Sequence, residues 1–332
     1  VVSVLESRLV ELGDALCVHV SEHATTIMAG RTHAQMAVPT TFGLKMAVFV
    51  GQIARGLLAL RSAAADASVV SLHGAAGTSA ALGPHASQIR RDCAELLGLR
   101  HEDVAWHVAR DRLLAVTTAC ASIAAILVRL GREIVDLARS EVDEVREAMD
   151  THRGASSTMP QKRNPIASEA LIGCGLSAQA SASLMLRAME AGHERAAGEW
   201  QAEWRALPDT LQTTSSALTI AVDLVRGLRV NAPQMSLNLE LDHGLIHAES
   251  AMVALASDMG RDLAHDIVYD AAMMARRDDI ELSEAVARTL SPAPSAENWR
   301  NRTSTPKPTT SARASALPVS RNSGISVGQE GE

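Results

Sequence analysis

Apolar side chains recur at alternating four- and three-residue steps through Ile123, Leu127, Leu130, Ile134 and Leu137. That spacing puts them on one helical face and repeats the step of a coiled-coil seam. A face of this kind has to be covered by other helices, so the chain is constrained to helix-on-helix packing. Val142, Val145 and Met149 prolong the stripe after a phase shift, which predicts a single helix over 110–150. The composition agrees. The chain is 47% hydrophobic but only 2% aromatic, so Ala, Leu, Val, Ile and Met must fill its core, as suits closely packed helices.

Strand signals are scarce, because β-branched runs are short and alternation is not sustained. Further helices are predicted over 3–29, 41–65, 84–97, 168–191, 208–228 and 245–275. Long helices with short connections define an all-α bundle. A break at Val230-Asn231-Ala232-Pro233 predicts a division into a central bundle domain over 1–230 and a smaller helical domain over 231–290. From Ser291 onward the chain is rich in Ser, Thr, Pro, Asn and Arg. Such a stretch buries too little apolar surface to offset its ordering entropy, so 291–332 is expected to be a disordered tail.

The formal net charge of −7 gives no bulk basicity, which argues against nucleic acid as a partner. Cys17, Cys93, Cys120 and Cys174 lack metal-type spacing and lie in apolar helical contexts, so they read as reduced, buried thiols of a cytoplasmic protein. No signal peptide is visible and no charge-free apolar run is long enough to cross a membrane. The scattered Asp, Glu and His residues suggest no metal site. Gly74-Ala75-Ala76-Gly77-Thr78 lacks the lysine of a phosphate-binding loop, which argues against nucleotide binding.

The chemistry concentrates in Gly154-Ala155-Ser156-Ser157-Thr158-Met159-Pro160-Gln161-Lys162-Arg163-Asn164-Pro165. Glycine and serines let the backbone bend and offer donors, while His152, Arg153, Lys162 and Arg163 add positive charge. Asn164-Pro165 reads as an N-cap followed by proline at the first helical position. The next helix would then aim its free N–H groups and positive dipole end into the loop, a setting for a carboxylate. The alternative is a capped helix connection with solvated cations. A second cluster lies upstream at Gly30-Arg31-Thr32-His33-Ala34-Gln35. His33 is of the residue type suited to proton transfer or substrate contact, although a lone histidine is more often structural.

Ser156-Ser157-Thr158-Met159-Pro160-Gln161-Lys162-Arg163-Asn164-Pro165 resembles the signature loop of the fumarase/aspartase superfamily, and Gly30–Gln35 resembles its Thr-His motif. Gly74–Thr78, Trp106-His107, His193–Trp204 and Asn238-Leu239-Glu240-Leu241 are similar to the bacterial 3-carboxy-cis,cis-muconate cycloisomerase branch. The resemblance runs from about Ser3 to Leu290. It implies a long-helix bundle of the fumarase/aspartase type and a homotetramer whose active sites draw motifs from different subunits. It also implies a small polycarboxylate substrate and no cofactor or metal.

By the same resemblance Ser156 is the catalytic serine and His33 its catalytic partner. Thr32, Gln35, Ser157, Met159, Lys162, Asn164 and Arg195 would contact substrate. Lys162 and Asn164 would stabilise charge moving into a carboxylate; the alternative for Lys162 is a solvated loop lysine. Trp200 and Trp204 would share a helical face and either pack or help line the pocket with His193, Glu194 and Arg195.

The family's chains carry a whole domain ahead of the Thr-His motif, whereas this chain begins a helix-length before it. The tail also departs from the family's helical C-terminus. Both departures lead to the expectation that this chain alone turns over 3-carboxymuconate slowly or not at all. Two other readings stay open. One is a fumarate-releasing lyase such as adenylosuccinate lyase, against which the Trp200–Trp204 stretch speaks. The other is a non-catalytic helical scaffold or remnant.

Overall fold

The computed structural model describes residues 1–148, 159, 162–195 and 197–290. The expected tail 291–332 and the loop serines Ser156 and Ser157 lie outside the described residues.

Five long helices build the bundle: α1 (Val2–Glu22), α2 (Phe42–Ala67), α4 (Asp111–Leu137), α5 (Ile166–Ala188) and α6 (Glu199–Gly227). They pack on one another around a core that includes Leu5, Leu12, Phe42, Phe49, Ile123, Leu127, Leu130 and Leu218, all buried. The α4 stripe is buried from Ile123 to Leu137 as its spacing requires. Glycines let α4 and α5 approach closely. A Cβ at Gly175 would meet Val128 Cγ2 at 2.5 Å and the Ala124 carbonyl oxygen at 3.0 Å.

Three predicted helices end or start elsewhere. The stripe stops at Leu137, whose carbonyl accepts the N–H of Glu144 across a turn, with Asp143 at φ 47°. Val145 is buried all the same, as part of the two-residue strand β3 (Val145–Arg146) paired antiparallel with β4 (Arg229–Val230). Its apolar spacing fits a helical stripe, but a two-residue strand buries it equally well. Met149 lies outside the described residues.

The first helix ends at Glu22, not Ala29, and the chain enters the hairpin of β1 (Ile27–Thr32) and β2 (Gln35–Thr41). Its two-residue turn is His33-Ala34, with φ 49° and 62°, as a type I′ turn requires. Helix α6 begins nine residues before the expected 208, and Pro208 lies inside it. Glu203, Ala206 and Thr210 on either side of it are buried, packing that offsets the hydrogen bond lost at the proline.

Thr41 caps α2, its hydroxyl accepting the N–H of Leu44 at 3.1 Å. Between α2 and α4 lie a 3-10 turn (Ala80–His85) and α3 (Ala86–Leu97). After β4 come α7 (Ala232–Asn238), a 3-10 turn (Leu245–His247), α8 (Ala248–Met259), α9 (Arg261–Asp278) and α10 (Leu282–Thr289). The helix expected over 245–275 is broken at Gly260, φ 89°. Helices α8–α10 bury their own cluster around Leu255, Val268, Ala271 and Leu282.

Helices α2 and α4 are long and apolar enough to cross a membrane, and half of each apolar window is buried inside the chain. All four cysteines are free, but only Cys120 is fully buried; Cys17, Cys93 and Cys174 are half-buried. The expectation of four buried thiols therefore holds for one, the cysteine on the seam side of α4, where burial raises the thiol pKa to about 11.

Candidate active site

The hairpin tip presents Thr32, His33 and Gln35 to solvent. Its turn residues lack the glycine that would make positive φ easy, so the paired strands impose the conformation. A register shift between Gly30 and Arg31 marks a bulge. The Arg31 guanidinium donates to both oxygens of Glu144, at 2.9 and 2.7 Å. Glu144 is fully buried and also accepts from Asn238 Nδ2 at 2.8 Å.

The end of the signature loop opens onto a cleft of about 1130 Å³. Met159, Lys162, Arg163, Asn164, Glu169 and Asp223 are among its lining residues. The cleft lies between the N-terminus of α5, the C-terminal end of α4 and the last turns of α6. The Lys162 N–H donates to the Met159 carbonyl at 3.0 Å. Beside them Arg146 holds the Asp143 carboxyl below its ordinary range, first through their hydrogen bond.

Helix α5 does not offer its N-terminus as expected. Pro165 occupies the N-cap position and Asn164 makes no cap. The carboxylate of Glu147 accepts the N–H of Ala167 at 3.0 Å, the N–H of Ser168 at 2.8 Å and the Ser168 hydroxyl at 2.7 Å. The chain's own anion thus satisfies the donors predicted for a substrate carboxylate. Asn164 still lines the cleft.

Arg195 stands elsewhere. Its Nε donates to the Ala75 carbonyl at 3.1 Å and its guanidinium covers Trp200 at 5.1 Å. It shares a small cleft with His107, Arg110, Trp200 and Glu203. Arg110 and Glu203 form a two-point ion pair at 2.6 and 2.5 Å, nearly buried. The His107 imidazole is held below its ordinary pKa by burial first, then by Arg195, His73 and Arg110. It stands edge-on to His73 at 6.0 Å. His73 Nε2 donates to the Glu102 carbonyl, leaving the buried Nδ1 without a partner. Trp200 and Trp204 do share a face, edge to face at 5.3 Å, with Trp204 exposed.

These groups do not meet within one chain. Lys162 and Asn164 sit at the start of α5 and the Arg195 cleft at its end, and the helix between them has 23 residues, roughly 35 Å at 1.5 Å per residue. The hairpin tip lines neither cleft. Sequence reasoning missed Glu144, Glu147 and the Arg110–Glu203 pair. The only local hint was a pair of glutamates three apart in a segment read as helix. Among the described residues no group of three or more His, Cys, Asp or Glu could hold a metal ion.

A long-helix bundle carrying a Thr-His hairpin and a cationic loop at a helix start defines a lyase of the fumarase/aspartase type. The protein family described as Lyase matches residues 1–179, and the chain belongs to it. It is 40% identical over 266 residues to the 3-carboxy-cis,cis-muconate cycloisomerase of Pseudomonas aeruginosa, a match covering 80% of this chain and 58% of that protein. It is 37% identical over 254 residues to the N-acetyl-S-(2-succino)cysteine lyase of Dickeya dadantii, covering 76% of this chain and 56% of that one. The chain therefore spans well under two thirds of the length of these relatives. Among solved structures it is similar to the 3-carboxy-cis,cis-muconate lactonizing enzyme of Pseudomonas putida, with a TM-score of 0.81 and 32% identity, covering 95% of this chain and 73% of that one. The fumarate lyase of Mesorhizobium sp. BNC1 gives a TM-score of 0.84 and 32% identity, covering 95% and 71%.

Proposed function

We propose that this chain carries part of the active site of a cycloisomerase acting on 3-carboxy-cis,cis-muconate in protocatechuate catabolism. One observation carries the reading. Lys162 and Asn164 of the signature loop line an open cleft at the start of α5, in a chain 40% identical to a cycloisomerase of that name. In the reaction a carboxylate oxygen of the substrate adds to a carbon of the diene and a proton is delivered to the neighbouring carbon. The difficult charge is enediolate-like and sits on a carboxylate. A lysine and an amide at the cleft wall stabilise that charge. Ser156 and His33 are the proton-handling pair in this scheme.

The separation of Arg195, the hairpin tip and Lys162 along the bundle supports a site assembled from several copies, as a homotetramer provides. Residues 1–230 form the bundle domain and 231–290 the smaller helical domain of each subunit. A cytoplasmic setting fits the free thiols. The test is loss of the diene's ultraviolet absorbance when protein is added to 3-carboxy-cis,cis-muconate. Turnover that depends on Ser156 supports the reading.

The likeness to a succinocysteine lyase favours a second reading, in which the same loop drives elimination from a succinyl group. Turnover of N-acetyl-S-(2-succino)cysteine without turnover of the muconate would select it. Binding of neither polycarboxylate would select a non-catalytic scaffold.

A further inference from the structure

We propose that Glu144 is a positioning residue that holds the Thr32–Gln35 hairpin tip in register with the stem of the Lys162 loop. Only the kinetic arm of its test rests on the function proposed above. Three parts of the chain meet at Glu144. Its carboxylate takes the two-point grip of Arg31, two residues before His33. The same carboxylate accepts from Asn238, which also donates to the Val142 carbonyl at 2.8 Å, so the end of α7 is drawn in. The Glu144 backbone closes the knot, its N–H donating to Leu137 and its carbonyl accepting from Asn231 at 2.9 Å.

From this node the strand β3 leads directly to Glu147, which grips α5 through Ala167 and Ser168. Pairing of β3 with β4 holds the two glutamates at a fixed spacing. The hairpin is thus linked to the helix behind Lys162 through charge-assisted hydrogen bonds and one short paired strand. The bulge at Gly30/Arg31 fits this role, since bulges re-aim a side chain. A fully buried carboxylate is a poor source of net stability compared with apolar packing. What the two-point pair contributes is a direction and a distance.

The test uses the full 332-residue chain, with Glu144→Gln and Arg31→Lys as variants. Glu144→Gln keeps shape and removes charge, whereas Arg31→Lys keeps charge and removes the fork. Hydrogen exchange is read at residues 27–41 and 162–170, alongside turnover of 3-carboxy-cis,cis-muconate. Exchange at 32–35 should rise about tenfold or more in either variant, while the core of α4 stays protected. Where the wild type turns over, kcat should fall on the order of tenfold to a hundredfold with KM within about twofold, as expected when a group is misplaced rather than lost. Where the wild type does not turn over, the exchange arm alone decides the role of Glu144. If Glu144→Gln fails to fold, Arg31→Lys decides. Unchanged exchange at 32–35 in a folded variant, or acceleration spread evenly over the whole chain, would overturn the proposal.

Discussion

Glu147 accepts both the backbone N–H and the hydroxyl of the buried Ser168, at 2.8 and 2.7 Å. Removing the carboxylate uncaps α5 and leaves a buried hydroxyl unpaired. Glu147→Ala should cost about 1–2 kcal/mol, and Ser168→Ala about 1 kcal/mol. Denaturant unfolding of each variant measures this, and no change in midpoint for Glu147→Ala would show that the cap is not formed in solution.

The closest approach of α4 to α5 depends on Gly175, where an added methyl would meet Val128 and the Ala124 carbonyl. A carbonyl in a helix cannot swing away as a side-chain tip can. Gly175→Ala should therefore destabilise by about 1–3 kcal/mol through overpacking, despite alanine's better helix propensity. Gly173 has open space around its position, and Gly173→Ala should be neutral or stabilising. Equal melting temperatures for the two variants would rule out this packing.

Lys162 is exposed at the cleft wall and takes no part in the described core. In a version of full family length, Lys162→Ala should leave the melting temperature unchanged and reduce kcat/KM on the order of 10²-fold or more. Near-normal turnover would remove Lys162 from the mechanism.

His107 supplies a pH dependence. Its folded pKa is lowered from the ordinary 6.5, mainly by burial and then by Arg195, His73 and Arg110. Protons therefore favour the unfolded chain, so stability should be level above neutrality and fall as pH drops through 6.5 towards the folded value. His23, lowered mainly by burial, acts in the same direction. His107→Gln should flatten part of this slope between pH 7 and 5. An unchanged slope would show that His107 is already charged in the folded state.

Leu176, Leu184 and Leu186 on α5 and Val48 and Leu58 on α2 are exposed on the bundle's outer faces. Apolar groups on several long helices call for partner helices. Light scattering of the purified chain should give a tetramer. A stable monomer at micromolar concentration would count against assembly through the bundle.

Much of the architecture is determined by local pattern. The four-three spacing from Ile123 to Leu137 dictates a buried helical face whatever surrounds it, and Gly98 and Thr41 mark helix ends by their own chemistry. That Lys162 and Asn164 would face one cleft was equally legible, because they stand two residues apart. The hairpin was not legible. Its turn is His33-Ala34, two residues with no preference for positive φ, and only pairing of Ile27–Thr32 with Gln35–Thr41 holds them there. Val145 looked helical because apolar spacing carries no record of whether a helix or a two-residue strand buries it. The partner of the α5 N-terminus was invisible for a similar reason. Glu147 lies 21 residues before Ser168 in sequence, and nothing local says which carboxylate will reach those N–H groups. Periodicity and capping act over one or two helical turns, so the sequence alone determines them. Arg31 with Glu144, Arg110 with Glu203 and Glu147 with Ser168 are pairings across distant segments, and only the packed bundle decides them.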